Sequence, residues 1–232
     1  MKRIDPTLDA AKRNAAARAV QAVENKMVLG LGSGSTASLA IELIGQRVAQ
    51  GLDVVGIPTS ERTAVLARKV GVPLTDFARH RRIDLTIDGA DQIEEATLSL
   101  IMGLGGALLR EKIVAEASAR MIVVADHTKL VKQLGSATPL PVEIVPFGWE
   151  IAIARLEALG CTAALRRVDG NAFATDGGNF VADCRFSVIT DAAGLQAELK
   201  RITGVVETGL FVGIATQAIL GRDDGATVLE RS

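Results

Sequence analysis

Tyrosine is absent from the 232-residue chain, and one tryptophan and six phenylalanines are its only aromatic residues. Proteins that hold single-stranded nucleic acid need aromatic faces on which bases stack, so that class is poorly supplied here. Charge of one sign is lacking too: 26 basic residues stand against 27 acidic ones, a net charge of −1, and no basic field remains to hold a phosphate backbone. The two cysteines, Cys161 and Cys184, are too few for a disulfide framework and lack C-x-x-C spacing. No apolar run approaches the roughly 18–20 residues that span a bilayer. The most apolar late stretch, GLFVGIATQAILG, is shorter and carries Thr and Gln. The opening MKRIDPTLDAAKRNAA has no apolar signal core. These absences predict a cytoplasmic, reduced protein with no metal and no cofactor, which binds neither nucleic acid nor membrane.

What is present suits a packed α/β protein. Hydrophobic residues make up 48% of the chain and charged residues 23%, ample for a core. No internal repeat or low-complexity tract interrupts it. An Ala-rich segment, DPTLDAAKRNAAARAVQAVE, has a helical rhythm that Asp5-Pro6 or Asp9 can start. Short apolar strands (MVLGLG, LDVVGIPTS, IDLTIDGAD, RMIVVAD) then alternate with helices (STASLAIELIGQRVAQG, ERTAVLARKVG, GGALLREKIVAEASA). That alternation predicts a Rossmann-like, mostly parallel sheet with helices on both faces. Near Gly135 the rhythm changes, and the three prolines of ATPLPVEIVPFG mark a boundary. Beyond it a helix, two strands, a helix and further strands predict a smaller α+β (ferredoxin-like) domain over 134–205. The larger, Rossmann-like domain is expected at 1–133 and 206–232, its tail rejoining the first sheet.

Four turns at the carboxyl ends of strands carry ligand-like residues. The first is GLGSGSTA, with Gly30, Gly32 and Gly34 between a strand and a helix. Backbone amides of such a loop approach an anion closely, and the helix N-terminus favours negative charge. The third glycine of the dinucleotide fingerprint is missing, as is the lysine of the triphosphate loop. Ser33, Ser35 and Thr36 suit one compact phosphate; the plainer alternative is a tight turn whose serine caps the helix.

The second is TIDGADQIEE. Asp88 and Asp91 flank Gly89-Ala90 at a strand end, where open α/β sheets bind ligands. The pair can accept hydrogen bonds from sugar hydroxyls, or it is a solvated acidic turn, to which Glu94 and Glu95 are assigned. The third is GLGGALLREK. Glu111 falls off the apolar stripe of Leu109, Ile113 and Ala117 and can face a cleft, although a glutamate beside Arg110 and Lys112 is ordinarily a surface charge. The fourth is VVADHTKLV, where Lys129 can pair with a phosphate or simply meet solvent. His80 and His127 have no evident role.

Taken together, these turns carry a resemblance. With AAKRNAAARAV, TSERT, PLPVEIVPF, TDGGNF and GVVETGLF, in this order along nearly the whole chain, the sequence resembles ribose-5-phosphate isomerase type A. The resemblance implies an aldose–ketose isomerase that interconverts D-ribose 5-phosphate and D-ribulose 5-phosphate through a cis-enediolate without metal, in the pentose phosphate pathway. It implies that Ser33, Gly34, Ser35 and Thr36 line the substrate loop. Asp88, Gly89, Ala90 and Asp91 would meet the sugar's hydroxyl and carbonyl end, with both aspartates catalytic. Glu111 would be the proton acceptor and Lys129 a substrate contact. It also implies a homodimer or homotetramer.

The glycine turn of Gly103, Leu104 and Gly105 departs from the family pattern. The family's loop begins with a lysine that binds substrate and helps neutralise the developing oxyanion; here that position is Met102. Leu104 also stands where a glycine is frequent. Met102 is the one feature that favours a non-catalytic sugar-phosphate sensor, and the chain has no added helix-turn-helix to support one. An amino-sugar phosphate deaminase would want a histidine in one of these loops, and none is there.

Overall fold

The computed structural model of the protein describes residues 6–231, and side chains from residue 8 onward; the helix start suggested at Asp5 lies outside them. The chain divides into two compact units. One comprises the residues up to Ala90, Arg110–Leu130 and the residues from Ile214 on; the other comprises Asp91–Leu109 and Val131–Gly213. Residues 91–109, expected with the first unit, pack with the second.

The first unit is built on a six-stranded sheet in the order Gly225–Glu230, Gln217–Arg222, Met121–Asp126, Leu85–Gly89, Val28–Leu31 and Val55–Pro58. All neighbours are parallel except the terminal hairpin of Gln217–Arg222 with Gly225–Glu230. The tail from Ile214 on joins this sheet, whereas 206–213, expected with it, pack with the second unit. Alternation along the strands sends side chains to two faces. Leu29, Leu31, Leu85, Ile87, Ile122 and Val124 join one core with Ala15, Ala16 and Ala19 of the helix Pro6–Val20 and Ala40, Ile41 and Ile44 of the helix Ser35–Ala49. Val28 packs in a separate cluster with Ile57, Ile83, Phe77, Val114 and Ala117. The alanines of Pro6–Val20 let that helix lie close over the sheet.

The strand order reverses between Val28–Leu31 and Leu85–Gly89. Connections leave the carboxyl ends of these neighbours in opposite directions and open a crevice between them, the place where such sheets hold ligands.

The second unit contains a four-stranded antiparallel sheet in the order Val205–Thr208, Leu140–Ile144, Phe180–Arg185 and Thr162–Leu165. With the helices Trp149–Glu157 and Ala192–Lys200 the chain order is strand, helix, strand, strand, helix, strand, the ferredoxin-like arrangement. Its core gathers Leu140, Val142, Ile144, Leu156, Ala182, Cys184 and Leu199. Gln92–Glu94, Leu100–Ile101 and Leu210–Phe211 lie side by side in a further small sheet.

Candidate functional site

At the switch point of the first unit, the chain leaves Leu31 and turns through Gly32, Ser33 and Gly34 into the helix Ser35–Ala49. The Ser33 amide donates to Asp88 Oδ1 at 2.8 Å, and the Gly89 amide donates to the same oxygen at 2.7 Å. Asp88 is fully buried and ties the two strand ends together. Gly32 is required here, because a Cβ on it would run into the Asp88 carboxylate.

The loop's polar backbone is met by hydroxyls, as buried backbone must be. Thr59 Oγ1 donates to the carbonyl of Leu31 at 3.1 Å, and Thr63 Oγ1 to that of Gly32 at 3.0 Å. Ser33 Oγ lies 2.8 Å from Thr59 Oγ1, 2.9 Å from Ser60 Oγ and 3.1 Å from Thr63 Oγ1. Ser60 also caps the helix Glu61–Lys69 by accepting from the Thr63 amide. Thr59, Ser60 and Thr63 carry no role in the sequence reading. Their signal is a Ser/Thr cluster between a strand and a helix, with Ser60 at the cap position.

The serine-cap alternative for the glycine loop does not describe this turn. The helix Ser35–Ala49 begins at Gly34 with no side-chain cap, and the Ser33 hydroxyl is engaged in the cluster instead. Ser35 is exposed and Thr36 buried.

Glu111 lies in the first turn of the helix Leu108–Glu116 and is 4% exposed. Lys112 beside it is 3% exposed, so neither is the surface charge that their neighbours in sequence suggest. Arg110 alone behaves that way, pairing with Glu61 at 2.8 Å on the outside. Lys129 is half-buried in the single turn His127–Lys129, which Asp126 caps by accepting from the Thr128 amide at 3.1 Å. His127 is exposed. Among the described residues no group of His, Cys, Asp and Glu is arranged to hold a metal ion.

In the second unit, Asp91 and the glycine turn belong to one local structure. The Asp91 amide donates to the carbonyl of Ile101 at 2.8 Å, and Asp91 Oδ2 accepts from the Leu104 amide at 2.9 Å. Met102 is buried, and its amide donates to Gly209 O at 2.9 Å. Gly103 and Gly106 both have positive φ, and the Gly106 amide closes the turn onto Gly103 O at 2.9 Å. The Phe173 ring sits where a Cβ on Gly106 would be. Arg166 donates to the carbonyls of Gly103 and Leu104 at 3.1 and 2.9 Å. Two arginines in a strand-like run look like surface charge in the sequence, and nothing there marks Arg166.

Residues 55–225 match the family model of ribose 5-phosphate isomerase A (phosphoriboisomerase A). The chain is 55% identical over 225 residues to the ribose-5-phosphate isomerase A of Gloeobacter violaceus, covering 97% of this chain and 98% of that one. Among solved structures it is similar to ribose 5-phosphate isomerase A from Methanocaldococcus jannaschii, with TM-score 0.92 and 38% identity over 96% of this chain and 99% of that chain. It is also similar to a D-ribose-5-phosphate isomerase in complex with phospho-erythronic acid, with TM-score 0.93 and 37% identity over 97% of this chain and 99% of that chain.

Proposed function

Because this chain belongs to the ribose 5-phosphate isomerase A family and is an aldose–ketose isomerase, we propose that it interconverts D-ribose 5-phosphate and D-ribulose 5-phosphate through a cis-enediolate, with Glu111 carrying the proton. The place of the reaction is the non-oxidative branch of the pentose phosphate pathway. Glu111 takes the proton from C2 of the open-chain aldose, and the electron pair moves toward the C1 carbonyl oxygen. The resulting acid returns the proton to C1, while the C2 hydroxyl gives up its proton and the oxygen at C1 gains one. A positioned base of this kind contributes roughly 10²–10⁴-fold. Ser33, Gly34, Ser35 and Thr36 bind the substrate, and Lys129 contacts it. Asp88 and Asp91, with Gly89 and Ala90, handle the sugar's hydroxyl and carbonyl end; Gly103, Leu104 and Gly105 line the oxyanion. The protein acts in the cytoplasm as a homodimer or homotetramer.

The observation that carries this reading is the buried Asp88 carboxylate, braced by the Ser33 and Gly89 amides at the switch point of a sheet from this family. It gives the first unit a polar anchor where such folds bind ligands. The test is conversion of ribose 5-phosphate to ribulose 5-phosphate in the presence of a chelator, for the parent and for Met102→Lys. Turnover by the parent is expected. A parent without turnover that binds phospho-erythronic acid favours the sensor reading, to which the apolar Met102 lends its only support.

A further inference from the structure

The glycine turn has a cation behind it. Arg166 is held rigidly at its own backbone, its amide donating to Val181 O at 2.8 Å and its carbonyl accepting from the Phe173 amide at 2.9 Å. Its guanidinium binds Asp183 through two separate nitrogens, Nε to Oδ2 at 2.9 Å and a terminal nitrogen to Oδ1. It stacks 5.7 Å from the centre of the Phe173 ring, which in turn covers Gly106. The remaining terminal nitrogen reaches the carbonyls of both Gly103 and Leu104.

A trans peptide points its C=O and N–H in opposite directions. Drawing the carbonyls of Gly103 and Leu104 onto Arg166 therefore turns the amides of Leu104 and Gly105 away from it. The Leu104 amide goes to Asp91 Oδ2 at 2.9 Å. Among the described residues the Gly105 amide has no hydrogen-bond partner, and Gly105 has open space around it. One arginine thus fixes two successive peptide planes and leaves one donor presented.

Resting on the isomerase reading above, we propose that Arg166 is a positioning residue for the reaction: it orients the Leu104 and Gly105 amides so that the Gly105 N–H stabilises the oxygen charge developing in the enediolate. The turn itself carries no side-chain cation in this chain, since Met102 cannot donate a hydrogen bond. Arg166, itself ion-paired with Asp183, acts on these peptide dipoles through its hydrogen bonds to their carbonyls. Lysine is a poor substitute, because one ammonium cannot hold the planar fork to Asp183 and both carbonyls together.

The test measures steady-state kinetics, thermal midpoint and amide hydrogen exchange at Gly105 for the parent, Arg166→Met and Arg166→Lys. Arg166→Met is expected to lower kcat about 30-fold or more, short of the full loss of an oxyanion donor, with KM for ribose 5-phosphate within about threefold. Exchange at Gly105 changes in the same variant, and Arg166→Lys recovers part of kcat. If Arg166→Met fails to fold, Arg166→Lys decides alone: kcat reduced at the parent's thermal midpoint supports the assignment, and an unchanged kcat overturns it. An active parent with Arg166→Met equally active overturns the assignment while leaving the isomerase reading intact. So does a kcat loss matched by loss of folded protein and not recovered by lysine. An inactive parent overturns the isomerase reading and the assignment with it.

Discussion

The Ser33 amide and Asp88 Oδ1 lie 2.8 Å apart, joining the glycine loop to a strand end 55 residues away in sequence across the switch point of the parallel sheet. The same oxygen takes the Gly89 amide, so a single carboxylate oxygen satisfies two backbone donors at the mouth of the crevice. One side chain therefore carries both the architecture of this corner and the charge proposed to act there, and substitution can separate them.

Asp88→Ala removes the acceptor of both amides. A buried amide left without a partner costs about 1–3 kcal/mol, so stability should fall by about 2 kcal/mol or more in urea denaturation. Asp88→Asn keeps an acceptor oxygen for the two amides and removes the charge. It should stay within about 1 kcal/mol of the parent while losing most of its turnover. Equal stability loss in both variants would mean that the charge, and not the acceptor, holds the corner.

Glu111→Gln preserves shape and removes the carboxylate proposed as the base. Turnover is expected to fall by about 10³-fold, with KM for ribose 5-phosphate little changed, measured by a coupled or direct ketose assay. Parallel loss of substrate binding would make Glu111 a binding residue and leave the proton transfer to another group.

Met102→Lys sets stability against rate. Met102 is buried at the end of the small sheet, and an ammonium there loses hydration unless it finds polar partners. The variant is expected to lose about 1–3 kcal/mol of stability and to gain about tenfold in kcat by neutralising the oxyanion. Calorimetry and steady-state kinetics on the same preparation check both. A variant that loses stability without gaining rate would show that position 102 does not face the developing charge.

Much of the first unit was legible because its strands and helices are strongly apolar and cleanly alternating, and because its glycine loop sits where the strand Val28–Leu31 hands over to the helix Ser35–Ala49. The strand Leu140–Ile144 was not. Its Pro141, within a proline-rich stretch, reads as a boundary, since an interior proline withholds a ladder donor. The strand tolerates it because the Pro141 carbonyl accepts from the Gly209 amide at 2.7 Å just beyond the paired Val205–Thr208 segment. The missing N–H falls on that same side, where the ladder ends.

Side-chain alliances were legible only where a local pattern announced them. Ser60 at a helix start is such a pattern, but its bond to Ser33 is not. Arg166 finds Asp183 from 17 residues away and the turn carbonyls from 63 and 62 residues away, and a neighbouring Arg167 disguises it. Glu111 and Lys112 look exposed because charged residues adjoin them, whereas burial is decided by which side of the helix the sheet covers.

The ring of Phe147 is 95% exposed and Ile151, four residues on at the start of the helix Trp149–Glu157, is 60% exposed. Large apolar side chains this exposed are candidates for an association site. If this face joins copies of the chain, Phe147→Asp should shift sedimentation from dimer or tetramer toward monomer at micromolar concentration, with the far-ultraviolet spectrum unchanged. An unaltered sedimentation coefficient would show that this face does not join copies of the chain.

The thiols of Cys161 and Cys184 interact in the core of the second unit. Donating to Cys161, and then burial, push the Cys184 thiol well above the ordinary thiol range, while the same hydrogen bond draws Cys161 down. Unfolded chains lose both thiol protons above about pH 8.5, but the folded protein keeps the one on Cys184. Above that value the folded state binds one more proton than the unfolded state, so stability declines as pH rises beyond it. The slope is about 1.4 kcal/mol per pH unit for one proton. Cys184→Ala removes that proton, and its stability should fall less steeply than the parent's between about pH 9 and 11 by this amount. Urea midpoints taken across that interval compare the two slopes directly, and parallel curves would mean that Cys184 ionises in the folded protein as readily as in the unfolded chain.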